Sequence, residues 1–100
     1  MEIIFTVEAK RDLDELREYL IPLSPSGLAN VTAAIEQRLL LIAVHPRSGR
    51  PSPRAGVREA IEPRYGFLMP YWIGGKSIHI LRIYRSQRAP LDYGKMRLLD

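Results

Sequence analysis

The chain contains no cysteine in its 100 residues. That absence excludes a disulfide scaffold and any Cys-ligated zinc or iron–sulfur centre. It suits a reducing compartment, and a cytoplasmic location is expected. Histidine is nearly as scarce: His45 and His79 are the only two, and neither belongs to a His-x-x-x-His spacing. No metal site and no cofactor are therefore expected. His45 is placed at a helix C-terminus and His79 on a strand face. Gly-x-x-x-x-Gly-Lys-Ser/Thr and Gly-x-Gly-x-x-Gly cradles for nucleotide phosphate are missing as well. Gly75-Lys76 and Gly94-Lys95 open no apolar-periodic helix. The opening residues, Met-Glu-Ile-Ile-Phe-Thr-Val-Glu, lack the basic and apolar regions of a secretory signal. No uninterrupted apolar run approaches the roughly 18–20 residues of a membrane span, so no membrane partner is expected.

Hydrophobic residues make up 46% of the chain and charged ones 26%, which at this length fits one domain with one core. Net charge is +4, unevenly spread. Residues 1–43 hold four Lys/Arg against seven Asp/Glu, and residues 44–100 hold eleven against four. A basic C-terminal half invites an acidic or nucleic-acid partner, or is simply a solvated surface.

Residues 2–6 are β-branched and aromatic and read as a short strand. Thr6 is a candidate N-cap, with Glu8 in the first turn. Ala9, Leu13, Leu16 and Leu20 then recur at helical spacing, predicting a helix over 7–20. Ser24-Pro25 is a second start signal. Leu28, Val31, Ile35, Leu39 and Ile42 extend it as a helix over 25–44, stopped at His45-Pro46. Leu40 and Leu41 widen its apolar face, so either the domain or a partner covers a second side.

Residues 45–56 form a Pro/Gly/Arg-rich loop. Three strand candidates follow: Val57–Glu62, Phe67–Ile73 and Ser77–Tyr84. Gly74-Gly75 marks a hairpin between the last two. Pro70 points to an edge strand or a bulge. The order strand, helix, helix, strand, strand, strand predicts an α+β fold of two layers, with both helices on one face of an antiparallel sheet. The first strand is expected beside Ser77–Tyr84. From Arg85 the pattern loosens into a tail, in which Met96, Leu98 and Leu99 dock, bind a partner or fray. Strand placement brings Arg58, Arg82, Tyr71 and Tyr84 into range of one cationic and phenolic cluster, suited to phosphate or RNA. The alternative is an Arg paired with Glu59 or Glu62 to blunt a sheet edge.

Several motifs in this order resemble the RelE/ParE toxin superfamily. Phe5-Thr6-Val7-Glu8-Ala9-Lys10-Arg11-Asp12-Leu13 is similar to its opening Phe-Thr-Pro-Glu-Ala-x-x-Asp-Leu. His45-Pro46-Arg47-Ser48-Gly49-Arg50-Pro51 looks like its Phe-Pro-x-x-Gly-Arg-Pro linker. Val57-Arg58-Glu59, Phe67-Leu68-Met69-Pro70-Tyr71 and the closing run 78–88 resemble its later strands, the Pro-Tyr strand being a mark of the ParE branch. Tyr84 stands where a His is common, and Trp72 where an Arg is common. The resemblance implies a toxin domain over residues 1–90 with a tail over 91–100, belonging to a type II toxin–antitoxin pair. It implies a protein-binding poison of DNA gyrase, neutralised by a ParD-like antitoxin of ribbon-helix-helix type, with DNA contacted only through the antitoxin. Expected antitoxin-binding residues are Leu40, Leu41, Arg58, Arg82 and Arg85. Expected target-binding residues are Tyr84, Arg85, Arg88 and Tyr93. The alternative is a RelE-type, metal-independent endoribonuclease that cuts messenger RNA on ribosomes, with Arg58, Arg82 and Tyr84 as its catalytic set. Arg is too basic to serve as the base, and Tyr needs a large pKa drop.

Overall fold

Two hydroxyl caps set the helices. The computed structural model describes residues 1–85, 91–96 and 98. It opens with strand β1 (Glu2–Phe5) and helix α1 (Val7–Leu20). Between them the Thr6 hydroxyl accepts from the Ala9 N–H at 3.2 Å, satisfying one of the helix's orphan donors. It also donates to the Leu81 carbonyl at 3.1 Å, which ties the helix start to the sheet. Ser24 repeats the device on the Gly27 N–H at 3.0 Å, where helix α2 (Pro25–Val44) begins with Pro25 in its first turn. His45 caps its C-terminus, as the sequence suggests.

One stripe of α2, made by Val31, Ile35, Leu39 and Ile42, is buried. From α1 only Ala9 is buried, while Leu13, Leu16 and Leu20 are half-buried against the core. By length and composition alone α2 could cross a membrane. Its buried stripe instead completes the core with sheet residues such as Met69, Tyr71, Ile78 and Ile80. Ile42→Ala should cost about 2–5 kcal/mol, because it removes transfer energy and leaves a cavity. Urea unfolding checks this; a loss below about 0.5 kcal/mol would mean that the stripe is misassigned.

The remaining strands are β2 (Arg50–Pro51), β3 (Val57–Glu62), β4 (Phe67–Gly74), β5 (Ser77–Ile80) and β6 (Tyr84–Arg85). Their order is β1-β5-β4-β3-β2, with β6 also on β4. The β3–β4 and β4–β5 pairs are antiparallel as expected. Gly75 has φ +62° in the two-residue β4–β5 turn, a conformation that glycine takes without strain.

Three sequence expectations need correction. The sheet is mixed, because β1 runs parallel to β5 from Glu2↔Ser77 to Phe5↔Ile80. Parallel pairing needs a long crossover, and all the chain between the two strands supplies it. The 45–56 loop contains β2, which pairs with β3. The run Ser77–Tyr84 is not one strand. Tyr71 pairs with Ile80 and Leu68 with Tyr84, so the two residues Met69 and Pro70 face the three residues 81–83. This is a β-bulge. The Pro70 carbonyl accepts from the Leu81 N–H at 2.8 Å, but Pro70 has no N–H to return, and the ladder breaks there. Pro70 thus lies in a central strand and moves the irregularity onto its partner.

Candidate functional site

The bulge turns Arg82 toward α1. There the Asp12 carboxylate accepts from Arg82 Nε at 2.7 Å and from Arg82 Nη2 at 3.0 Å, and takes the Ile83 N–H at 2.9 Å. This fork-to-fork geometry is the strong form of an Arg–carboxylate pair. The hydrogen bond to Asp12 raises the Arg82 pKa above its ordinary value, against the opposing effect of burial. A groove of about 560 Å³ opens beside the pair, walled by Glu15, Leu16, Tyr19, Val31, Tyr84 and Arg85 among others. The Arg82 guanidinium lies 5.9 Å from the Tyr84 ring centroid. The Tyr84 hydroxyl is buried without a hydrogen-bond partner among the described residues. Arg85 is exposed, with its guanidinium 5.7 Å from the Phe67 ring centroid.

A second constellation forms at the other basic side chain. The Tyr71 hydroxyl donates to the Pro46 carbonyl at 2.7 Å and accepts from the Gly49 N–H at 3.0 Å. Arg58 Nη1 donates to the Gly49 carbonyl at 2.9 Å. Burial raises the Tyr71 pKa. Here glycine is demanded by space: a Cβ on Gly49 would lie 2.5 Å from the Tyr71 hydroxyl oxygen. The single cluster anticipated from strand placement is therefore two. Arg58 and Tyr71 clamp the 46–49 loop, and Arg82 and Tyr84 meet α1. The edge-blunting ion pair exists too, but it is made by Arg50, whose Nε lies 2.6 Å from Glu59 Oε1.

Leu40 is 67% exposed and Leu41 41%, so the domain leaves the second side of α2 open. Tyr93 belongs to a 3₁₀ turn (Tyr93–Lys95) packed on the body, and its hydroxyl donates to Glu59 Oε2. Arg88 and Leu99 lie outside the described residues. His79 stacks on Trp72 at 5.0 Å, as a strand-face residue.

Asp12 and Arg54 were missed as site-forming residues, and Glu59 was anticipated only as the ion-pair partner of an Arg, not as the acceptor of the Tyr93 hydroxyl. For Asp12 the available signal was its place in α1 directly beside the core-facing Leu13. Nothing local foretells that Arg54 reaches the Tyr93 and Met96 carbonyls.

Tyr93, like Tyr71, is held above the ordinary tyrosine range, first by burial and then by its Glu59 partner. The unfolded chain ionises these phenols near pH ~10, whereas the fold keeps them neutral. Their stabilisation is complete below that pH and is lost as pH rises above it. Tyrosinate absorbance at 295 nm should gain a late component that Tyr71→Phe and Tyr93→Phe each diminish. A titration curve of unchanged shape in both variants would contradict the shielding.

Comparison with known proteins converges on this architecture. A family model described as the ParE toxin of the type II toxin–antitoxin system parDE matches residues 3–90. A protein of Sinorhizobium fredii named "Putative toxin Y4kP" is 30% identical over 86 residues, covering 86% of this chain and 88% of its own. A chain from a structure titled "Chromosomal ParDE TA system from P. aeruginosa" superposes with a TM-score of 0.73 at 31% identity, covering 85% of this chain and 95% of its own. With the two helices, the bulged mixed sheet and the Pro-Tyr strand in the same chain, the protein belongs to the ParE toxin family of type II toxin–antitoxin systems.

Proposed function

We propose that this toxin works by binding, that its target is DNA gyrase, and that a ParD-like antitoxin of ribbon-helix-helix type neutralises it in the cytoplasm. The observation carrying the reading is the Asp12–Arg82 pair. Cutting RNA through its 2′-hydroxyl needs a general base, a general acid and cations on the developing charge. Arg82, whose guanidinium lies 5.9 Å from the Tyr84 ring centroid in the groove, is already neutralised by Asp12. Arg58 is committed to the Gly49 carbonyl. Arg85 has no carboxylate partner among the described residues. It is the charge that offers itself to an acidic antitoxin segment, with Leu40 and Leu41 as apolar contacts.

The test is induction of the chain alone, followed by assays for gyrase-trapped DNA breaks and for messenger cleavage on ribosomes. Gyrase trapping supports the reading. Messenger cleavage by the purified protein would move it to the RelE-type alternative. For the antitoxin, Leu40→Asp with Arg85→Glu should weaken the complex by at least tenfold in calorimetry; unchanged affinity would remove this surface from the interface.

A further inference from the structure

Six residues near the C-terminus, 91–96, lie against the body with an alternating pattern. Leu91, Tyr93 and Met96 are half-buried, while Asp92, Gly94 and Lys95 are exposed. Among the described residues, no backbone hydrogen bond joins this segment to the sheet; its own backbone bonds are the local Lys95 N–H to Asp92 and Met96 N–H to Tyr93. The attachment is made by side chains. Arg54 Nη1 donates to the Tyr93 carbonyl at 2.9 Å and to the Met96 carbonyl. The Tyr93 hydroxyl donates to Glu59, whose other carboxylate oxygen takes Arg50. Glu59 is 5% exposed, so the contact closes over a buried acid.

Arg54 is itself held in place. It belongs to the β2–β3 turn, where its N–H donates to the Ser52 hydroxyl at 3.0 Å and its carbonyl accepts from Ser52 Oγ at 2.9 Å and from the Val57 N–H at 3.1 Å. Gly56 closes that turn at φ +83°. A rigid turn therefore aims one guanidinium at two carbonyls three residues apart. A guanidinium offers several donors in a fixed plane, which an ammonium does not.

We infer that Arg54 is a positioning residue: it clasps residues 91–96 as a strap across the outer face of the sheet, and the toxin engages its target with the strap in this fixed form. The inference rests on the proposed gyrase-binding function and on the expectation, implied by the family resemblance, that the target is met by residues of the closing strand and tail. A pre-ordered strap spares the target the entropy of fixing a loose tail. It also turns Asp92 and Lys95 outward while Tyr93 faces the body. Tyr93 then serves the target contact through its grip on Glu59 and not by touching the target.

Two readouts on the full-length chain test this. The first is trypsin cleavage after Lys95, followed by mass spectrometry. The Lys95 side chain is 86% exposed, but the backbone on both sides of the bond to Met96 is tied through Arg54. Arg54→Ala should speed this cut at least tenfold over wild type, with Tyr93→Phe in the same direction and Arg54→Lys between. The second readout is growth arrest and gyrase trapping. Arg54→Ala should lose activity at least tenfold while its affinity for antitoxin is retained, and Arg54→Lys should recover part of it. Equal cleavage rates in wild type, Arg54→Ala and Tyr93→Phe would overturn the clasp. Faster cleavage with full toxicity would overturn the positioning role. If wild type traps no gyrase, the target reading fails while the cleavage comparison still decides the clasp. Tyr93→Phe, which leaves the Arg54 turn intact, keeps the test available should Arg54→Ala fold poorly.

Discussion

Asp12→Ala will lower the stability of the toxin by about 2–4 kcal/mol, the largest single-site loss expected outside the apolar core. Three donors converge on this carboxylate: two from Arg82 and the Ile83 backbone N–H. Removing it strands a guanidinium whose side chain is two-thirds buried, together with an amide in the bulge. For a domain near 100 residues, 1 kcal/mol moves Tm by roughly 4–8 °C, so Tm should fall by at least about 8 °C. Arg82→Ala should cost less, because Asp12 then keeps the Ile83 N–H, whereas Asp12→Ala leaves both the guanidinium and that amide without their acceptor. The order of the two losses tests the argument. If Arg82→Ala is the more costly, the stranded Asp12 carboxylate and the lost packing of the Arg82 stem outweigh the three donors that Asp12 gathers. A double-mutant cycle isolates the coupling.

The same pair explains what could be read from the chain and what could not. Helix limits were legible because local chemistry writes them: Thr6 and Ser24 are caps, Pro25 starts α2 and His45-Pro46 stops it. The steps of four and three through Val31, Ile35, Leu39 and Ile42 named the buried stripe. Pro70 announced an irregularity, but its location was missed. The missing N–H faces the neighbouring strand, so the bulge falls on residues 81–83 and not on the proline. That displacement splits the expected Ser77–Tyr84 strand and sends Arg82 to α1. The direction of β1 was equally hidden, since a strand joined through helices and hairpins can pair either way. Candidate site residues were identified by type, whereas their partners depend on non-local geometry. Arg58 meets Gly49, and Arg82 meets Asp12 seventy residues earlier in the chain. Gly49 shows how a motif residue acquires its physical reason only in three dimensions. Nothing in the loop itself forbids a side chain, but the Tyr71 hydroxyl occupies the space.

Removing the outward charges of the closing strand and tail should abolish toxicity, whereas conservative changes at Tyr84 should not. A nuclease relies on a few groups acting in the transition state, so losing one lowers its rate by orders of magnitude while binding persists. A binding poison relies on a surface, and its loss follows affinity. Tyr84→Phe deletes only a hydroxyl that is buried and has no hydrogen-bond partner among the described residues. In a binding poison this change is close to neutral, because no hydrogen bond is lost and an unpaired polar atom is relieved. In a nuclease using that phenol it costs orders of magnitude in rate. Arg85→Glu combined with deletion of residues 91–100 should instead reduce gyrase trapping at least a hundredfold. Circular dichroism must show that the deleted chain still folds; Arg85→Glu alone, an exposed change, serves if it does not. The decisive comparison is Tyr84→Phe against Arg85→Glu in one induction experiment. Retained toxicity in the first and loss in the second support the gyrase-binding reading. The reverse order, accompanied by messenger cleavage on ribosomes that Tyr84→Phe abolishes, assigns the groove to RNA chemistry.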